Sequence, residues 1–476
     1  MDINEYIEKV YQGRETWFSE EVETAYNMAR ISNVIENKEY LSGVHSILNK
    51  ENFKYKEQEF ITRKIIINEA KTILDFHSTY LLGKPLSLVG TENMVKVFEK
   101  IYRKGNFNEV DFTNTVKMYK YGDSYEYDYK DTDKIIKAKI IDSSEAYPVF
   151  SETNDYVCFI QYYCINAISY YTVFYENEVQ EWNNEDEALK LTNSYVNLSG
   201  LPIHNHNIND IDENFGQSVL DDIKPILNEL ESLLSKLGDS IYTLSLNPLP
   251  VTIGQPIEGS INADMCGASI ALDSGSDMKY VVATMDYNTI KLYLDTLGQK
   301  LNMVSHMPSI VGSSSIANVS EVSLKMLYEL ADVMAMLSEK SILKGLNQRF
   351  KVFEKLLASD GITFSDDDYV GVSFNYARPQ NMTELLDNLT KQFDMGAMSV
   401  RTVIEKSPLT GDVQQEIDRI QEEKDAKAKE DKANTDNTNL DANGNVIVDN
   451  TNANGNPIDN TKTNTGNGTA NTDVVK

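Results

Sequence analysis

A run of apolar residues at alternating steps of three and four constrains the fold of this chain more than any other feature. Side chains at these steps lie along one side of a helix, so the run predicts a long helix that packs against a neighbouring helix. At about 1.5 Å per residue, the apolar stripe is roughly 37 Å long. Pro225 lies inside it and predicts a kink or an early break. The stripe consists of Leu220, Ile223, Leu227, Leu230, Leu234, Leu237, Ile241 and Leu244.

A second stripe follows a segment that is rich in Pro, Gly and Ser. Its members, at steps of four and three, are Ile290, Leu294, Leu297, Leu301 and Val304. The segment between the stripes, residues 246–282, contains only short strand-like pieces. Two striped helices that flank a compact insert predict a helical hairpin. The stripes have no other evident partner in the chain, so they are candidates for packing against copies of the same hairpin.

The opposite side of the second striped helix is polar. Its centre carries no positive charge. The residues on this side are Asn288, Asp295, Gln299 and Asn302, flanked by Lys291 and Lys300. The loop that follows, residues 305–320, contains Pro308, Gly312 and three consecutive serines.

The rest of the chain mixes helices and strands, which predicts an α+β fold. The first 105 residues are mostly helical, and an apolar helix that includes residues 61–82 ends at Gly83. Residues from about 115 to 200 alternate aromatic or β-branched residues with polar ones, which predicts an antiparallel meander. Half-buried sheet also explains the aromatic residues of 109–129 better than a nucleic-acid stacking platform does.

Two further segments complete this organisation. A long helix is predicted from Val319 to Leu357. Residues 425–476 are rich in Asn, Thr, Asp and Gly, with almost nothing to bury, which predicts a disordered tail.

Charge and composition exclude several classes of protein. The chain has 44 Lys and Arg against 73 Asp and Glu, a net charge of −29. Tight DNA binding depends on cationic side chains that neutralise phosphates, so we do not expect it here. Weak contact with DNA that slides past the protein is compatible with this net charge. No signal peptide or membrane span is predicted, and three cysteines do not make a disulfide framework. Cys158 and Cys164 are expected to be small buried residues on one strand face.

The Gly83-Lys84 pair does not form a phosphate-binding loop. Such a loop needs a glycine five residues before the pair and Ser or Thr after the lysine, where this chain has Ser78 and Pro85. Proline also has no backbone N–H to offer a phosphate. We therefore expect no nucleotide cofactor at this position and interpret the pair as the end of a helix.

The sequence "HNH" at 204–206 invites a metal-site interpretation. Two histidines need further ligands, and the nearest acids are Asp210 and Asp212. This small number of close ligands favours a polar loop instead of a metal site. A third histidine, His77, lies on the apolar side of a predicted helix and is expected to be a packed, hydrogen-bonded core residue. We expect no catalytic residue, no cofactor and no metal ion.

Several segments together resemble the portal proteins of tailed bacteriophages, specifically the family of long-tailed phages of Gram-positive hosts. Their order and spacing from about residue 20 to 425 carry the resemblance, since none is as specific as a nucleotide-binding motif. The segments are "YLLGKP" at 80–85, "YGDSYEYDY" at 121–129, the striped helix at 218–245, "LDTLGQKLNMVSHMPSI" at 294–310 and "RPQNMTELLDNLTKQFDMGAMSVRTVIEKSPLTGDVQQEIDRIQEE" at 378–423.

The resemblance implies a phage portal fold with a mixed wing, a two-helix stem, a small α/β clip, a helical crown and a disordered C-terminal tail. The implied parts are the N-terminal wing at 1–210, the first stem helix at 211–245, the clip at 246–282, the second stem helix at 283–304, the channel (tunnel) loop at 305–320, the long helix and rest of the wing at 321–385, the crown at 386–424 and the tail at 425–476.

The resemblance also implies roles for the residues singled out above. Ser313, Ser314, Ser315 and Asn318 of the channel loop would face DNA. The residues of the stem that would face the channel are Asn288, Lys291, Asp295, Gln299, Lys300 and Asn302. The residues that would pack the stem in the oligomer are Leu220, Ile223, Leu227, Leu230, Leu234, Leu237, Leu294, Leu297 and Leu301.

The implied function is a structural conduit at one capsid vertex of the virion, a ring of about twelve subunits through which double-stranded DNA is packaged and ejected. Implied partners are the terminase large subunit, a head–tail connector (adaptor), and the major capsid and scaffolding proteins, with no membrane and with assembly in the host bacterial cytoplasm. Two alternatives stay open: another oligomeric helical scaffold protein without a DNA channel, and a metal-dependent enzyme that uses His204 and His206.

Overall fold

Helices and strands are interspersed along the chain, as expected for an α+β protein. The computed structural model divides the chain into two units, Met1–Pro379 and Gln380–Lys476, which are described separately. The residues that the structure describes are 2–55, 58–241, 249–255, 272–281, 286–308, 325–378 and 382–435.

The first unit contains both helices and strands in its described ranges. The helices are α1 (Ile3–Tyr11), α2 (Trp17–Val22), α3 (Ala25–Ser42), α4 (Glu69–Leu82), α5 (Glu92–Gly105), α6 (Phe107–Tyr121), α7 (Val219–Ser240), α8 (Tyr287–Val304) and α9 (Glu329–Ala358). The strands are β1 (Phe53–Tyr55), β2 (Gln58–Phe60), β3 (Ser87–Gly90), β4 (Asp123–Lys130), β5 (Ile136–Ile141), β6 (Ala146–Phe150), β7 (Tyr156–Ile165), β8 (Ile168–Phe174), β9 (Glu178–Asn183), β10 (Lys190–Val196), β11 (Ile203–His206), β12 (Leu249–Ile253), β13 (Asp277–Val281) and β14 (Val370–Ser373).

The predicted antiparallel meander is confirmed. Strands β6 to β10 form a five-stranded sheet in sequential order, and β4 pairs with β5 and β11 in a three-stranded sheet. Pro148 lies in β6, an edge strand, where its missing N–H interrupts no ladder. The start of the predicted sheet is wrong, because residues 107–121 form helix α6. Cys158 is buried as predicted, whereas Cys164, near the end of β7, is exposed.

The largest core of the first unit lies among α4, α5, α6, α7 and α9. Phe98, Phe107 and Phe353 are fully buried there, with Leu74 and Leu81 of α4. Helix α4 begins at Glu69, later than predicted, because residues 61–67 have no regular structure. Its predicted end is confirmed, since it stops at Leu82 with Gly83 as the next residue.

The two helices at the positions predicted for the stem are shorter than the predicted segments. Helix α7 begins after Ser218, whose hydroxyl accepts from the N–H of Leu220 at 3.1 Å, and it continues through Pro225 to Ser240. Asp286 caps α8 by accepting from the N–H of Thr289. Of the predicted clip, residues 249–255 and 272–281 are described, and they contain the antiparallel pair β12–β13. Helix α9 begins at Glu329, ten positions after the predicted start at Val319.

The second unit is helical where it is described. Its helices are α10 (Met382–Asp394), α11 (Val400–Lys406) and α12 (Val413–Thr435). The boundary of the predicted tail at 425 is wrong, because α12 continues to Thr435. Residues 425–435 contain Ala, Lys and Glu, which favour helix. Residues 436–476 lie outside the described part.

Candidate stem and channel surface

The chain itself covers the first half of the first stripe. Leu220, Ile223 and Leu227 of α7 are 0% exposed, and Leu230 is 7% exposed. They belong to the core in which α4 and α6 pack against α7. The expectation that the stripe packs between subunits is therefore wrong for these residues, because other helices of the same subunit already cover them.

The second half of the stripe is less completely covered. Leu234 and Leu237 near the end of α7 are half-buried. On α8, Leu294 and Leu297 are half-buried against the same core, whereas Leu301 is buried. These partly exposed leucines stay candidates for packing between subunits.

Helices α7 and α8 contact each other, as the predicted hairpin requires. The hydroxyl of Tyr293 donates to Glu229 Oε1 at 3.3 Å, and Leu301 packs in the core that holds Leu227 and Leu230.

Most of the predicted channel-facing side of α8 is exposed in the single subunit. Asn302 is half-buried, and the exposed members are Asn288, Lys291, Asp295, Gln299 and Lys300. The surface of α8 is not uniformly polar, since Tyr287 and Leu292 are about 70% exposed. In a single subunit, α8 therefore exposes both polar and apolar side chains that contacts in an assembly could cover.

A buried histidine holds the end of α8. The Nε2–H of His77 on α4 donates to the carbonyl oxygen of Ser305 at 2.6 Å. Burial lowers the pKa of His77 to about 4, so the ring is neutral at pH 7. The predicted packed, hydrogen-bonded histidine is confirmed. The residues of the predicted channel loop that would face DNA, Ser313–Ser315 and Asn318, lie outside the described part of the chain.

One turn further along α4, the "YLLGKP" segment contacts Ala377 and Arg378, at the start of the last segment that carries the resemblance. The hydroxyl of Tyr80 donates to Asp332 Oδ1 of α9 at 2.5 Å, and Arg378 forms an ion pair with the same carboxylate. The N–H of Ala377 donates to the carbonyl oxygen of Tyr80 at 2.8 Å. These residues are nearly 300 positions apart, so sequence inspection found both segments but not their contact.

A buried ion cluster joins α9 to α6 and β4, and the sequence analysis missed it. Arg349 donates through Nε and Nη2 to the two oxygens of Glu126, each at 2.6 Å. Its Nη1 contacts Asp111 and donates to the Tyr102 hydroxyl at 3.0 Å. Asp128 is also buried beside this cluster, where burial and the Glu126 charge raise the pKa of its carboxyl well above the usual range. One available signal was Arg349 itself, because an arginine among Leu346, Phe350 and Phe353 needs a buried partner.

The "HNH" segment is structural. His204 Nε2 pairs with Asp123 Oδ1 at 2.7 Å, and its ring stacks on Tyr125 with centroids 4.7 Å apart. Asn205 lies against Gly345 of α9, where a Cβ would be only 1.6 Å from its Oδ1. His206 Nδ1 is 3.0 Å from the carbonyl oxygen of Asn207. Within the described ranges, no group of three or more His, Cys, Asp or Glu side chains is placed to hold a metal ion.

The remaining expectations concern Lys84 and the membrane. Lys84 is exposed after the end of α4. None of the helices in the described ranges is both long enough and apolar enough to cross a membrane.

Comparison with known proteins identifies the family. The portal protein of Bacillus phage SPP1 is 21% identical over 390 residues, which cover 74% of each chain. The neck of an empty gene transfer agent (GTA) particle, with C6 symmetry, is similar at a TM-score of 0.45 and 11% identity, over 69% of this chain and 86% of that chain. The neck of a native GTA particle, with C12 symmetry, gives 0.43 and 10%, over 71% and 89%. The family model for phage portal protein, SPP1 Gp6-like, matches residues 22–430, and the chain therefore belongs to this family of phage portal proteins.

Proposed function

We propose that this portal protein assembles into a closed ring of roughly twelve subunits, and that the phage genome passes through the ring during packaging and ejection. The family match over residues 22–430 carries the proposal. Portal proteins form ring oligomers at a capsid vertex, and the family is structural and non-enzymatic. The chain is accordingly a structural component of the virion.

The charge of the chain supports a conduit. A net charge of −29 leaves little attraction for phosphate, and DNA that must move through a channel gains from weak, screened contacts. On α8, exposed Asn288, Asp295 and Gln299 offer neutral or repulsive groups, while Lys291 and Lys300 supply limited attraction. We assign this side of α8 to the channel, together with Asn302.

The serine-rich segment that follows α8 supplies the second channel surface in this proposal. Ser313–Ser315 and Asn318 offer hydrogen bonds to phosphate without a fixed charge. The terminase large subunit docks at the clip, residues 246–282, and supplies the ATPase, since the Gly83-Lys84 pair forms no phosphate cradle. A head–tail connector, the major capsid protein and a scaffolding protein are the other partners, and assembly takes place in the host cytoplasm.

The mass of the purified assembly, together with electron micrographs, tests the ring. We expect one species of roughly twelve subunits with a central hole. A monomer at micromolar concentration would count decisively against the proposal. A closed ring whose centre is too narrow for double-stranded DNA would favour an oligomeric scaffold protein without a channel.

A further inference from the structure

Helix α9 carries apolar residues on two opposite sides in its first half. One side, with Ala331, Ala335 and Ile342, is buried in the subunit core. The other side carries Leu330, Val333 and Leu337, which are 42%, 39% and 41% exposed. A second apolar side on a helix that already packs against a core normally contacts another element. The exposed side of α9 therefore lacks a partner in the described part of the subunit.

The same exposed side becomes basic in the second half of α9. Lys340, Lys344 and Lys351 continue the steps of three, four and seven residues that keep side chains on one side of a helix. All three lysines are exposed, and none forms an ion pair within the described ranges. By contrast, Lys355 pairs with Glu176 at 2.7 Å. In a chain with a net charge of −29, a row of unpaired lysines suits an acidic partner.

Helix α3 has an exposed side with the matching order of chemistry. Met28 and Ile35 are 56% and 46% exposed, and both lie on the side that also carries Ser32. Glu36 and Glu39, both exposed, follow on this side, and Glu36 also lies 3.6 Å from Lys224 of its own subunit. Leu330 to Leu337 and Met28 to Ile35 each span seven positions, about 10.5 Å of helix. Two parallel helices in this register place apolar residues opposite apolar residues and Lys340 near Glu39.

The exposed apolar side of α3 is distinct from the side of α3 that packs near the Asp210 loop. The hydroxyl of Tyr26 on α3 donates to Asp212 at 2.5 Å, in the loop whose Asp210 lines the same cleft as Leu337. Met28 is two residues after Tyr26, so its side chain is about 200° away around α3 and points away from Asp212. A head-to-tail contact in a ring joins two different surfaces of the subunit, as the exposed sides of α9 and α3 are.

We infer that, in the ring proposed above, α9 of each subunit packs in parallel along α3 of the next subunit. Leu330, Val333 and Leu337 of α9 contact Met28 and Ile35 of the neighbour. Lys340 and Lys344 lie beside the neighbour's acidic stretch, Glu36 and Glu39. This contact rests on the proposed ring, but it commits to one pair of surfaces that ring formation alone does not specify.

Cysteine cross-linking tests the pairing in the assembled full-length protein. The background replaces the native cysteines (Cys158→Ala, Cys164→Ser and Cys266→Ser), and the test variant adds Ile35→Cys and Leu337→Cys. A short bismaleimide should produce a ladder of covalent oligomers up to the size of the ring. The control pairs Ile35→Cys with Lys351→Cys, which lies on the same side of α9 but about 21 Å further along, and should give no ladder.

Mass measurement of the same samples separates the two proposals. Rings that form without a Leu337–Ile35 cross-link would overturn the pairing but leave the ring. Failure of the unmodified protein to form rings would overturn the proposed function itself. A ladder in the Lys351 control equal to that of the test pair would also overturn the pairing, because the cross-link would then be unspecific.

Charge reversal adds an independent test. Lys340→Glu should raise the concentration at which rings half-assemble several-fold, and Glu39→Lys in the same chain should restore it. The matched control is Lys355→Glu, which changes the charge equally but loses only a contact within the subunit. If Lys340→Glu leaves ring assembly unchanged while capsid incorporation falls, this side of α9 docks another virion protein and the inference is wrong.

Discussion

Replacing Arg349 with methionine removes the cation that neutralises a cluster of fully buried carboxyl groups. In the native structure, this guanidinium donates two hydrogen bonds to Glu126 at 2.6 Å and contacts Asp111, and its side chain is only 3% exposed. Methionine has a similar length and keeps apolar contact with the rings of Tyr102 and Phe107, over which the guanidinium lies, but it leaves the carboxylates without a counter-ion. Breaking a buried pair in this way costs about 3–5 kcal/mol of unfolding free energy.

The same helix provides a matched control. Lys355 pairs with Glu176 at 2.7 Å, but both side chains are more than half exposed. Solvent screens that pair, so Lys355→Met should cost only about 0–1 kcal/mol. Because domains have about 5–15 kcal/mol of stability in total, the expected difference between the two variants is a large fraction of it.

Urea denaturation measures the difference. Trp17 and Trp182, the two tryptophans, are buried against the five-stranded sheet and report unfolding by fluorescence. Protein concentration must be equal throughout, since assembly adds to apparent stability. If Arg349→Met loses no more free energy than Lys355→Met, the cluster does not stabilise the fold and the argument fails.

The pH dependence gives a second check with a definite sign. Burial raises the pKa of Asp111 to about 6, although Arg349 opposes the shift. A folded-state pKa above the unfolded value means that Asp111 costs stability at pH 7, and that the cost disappears as the pH falls through 6 towards the unfolded pKa. Without Arg349 the pKa of the carboxyl groups should rise further, so the stability deficit of Arg349→Met should shrink between pH 7 and pH 5. A deficit that grows over this range would refute the reasoning.

Three further predictions follow from the stem, the channel and the tail. Leu227→Asp should unfold the subunit, as measured by circular dichroism, because Leu227 is fully buried. Leu234→Asp should leave the subunit folded and lower the ring yield on gel filtration, because Leu234 is only half-buried. Equal effects of the two variants would contradict the difference in burial. Tryptophan at each position of Ser313–Ser315 should shorten the packaged DNA measured by gel electrophoresis while rings stay normal, and full-length packaging would remove these serines from the channel. Truncation after Thr435 should leave ring formation unchanged, and lost rings would make the tail structural.

The sequence predicted the elements whose apolar period is regular, and it failed where tertiary contacts decide. Helices α7 and α8 and the strands of the meander follow directly from their spacing. Spacing does not reveal which partner covers a stripe, and for Leu220 to Leu227 that partner is the subunit's own core. Helix α6 was missed because aromatic and β-branched residues favour strands, whereas Phe107, Met118 and Tyr119 are buried here on a helix.

The helices that carry the candidate stem surface could be predicted from the sequence, but the buried contacts that hold the subunit together could not. The ion cluster around Arg349 joins residues more than 200 positions apart, and each of them alone looks like an ordinary surface charge. Only the apolar residues that flank Arg349 on α9 indicate that its face is buried. Local patterns carry no information about where Glu126 and Asp111 lie relative to that face.

Helix α4 connects the chain on both sides of the serine-rich segment. Before the segment, His77 donates to the carbonyl oxygen of Ser305 at 2.6 Å. After it, Tyr80 stacks on Tyr328 with centroids 5.8 Å apart and bonds to Asp332. The residues of α4 that hold the two flanks are one turn apart, in the core shared with α6 and α9. A force on the serine-rich segment is therefore transmitted to the largest core of the subunit, which also covers the first half of α7. The first half of α7 is thus held by the subunit's own core, so if α7 is a stem helix of the proposed ring, its fold does not depend on the neighbouring subunits.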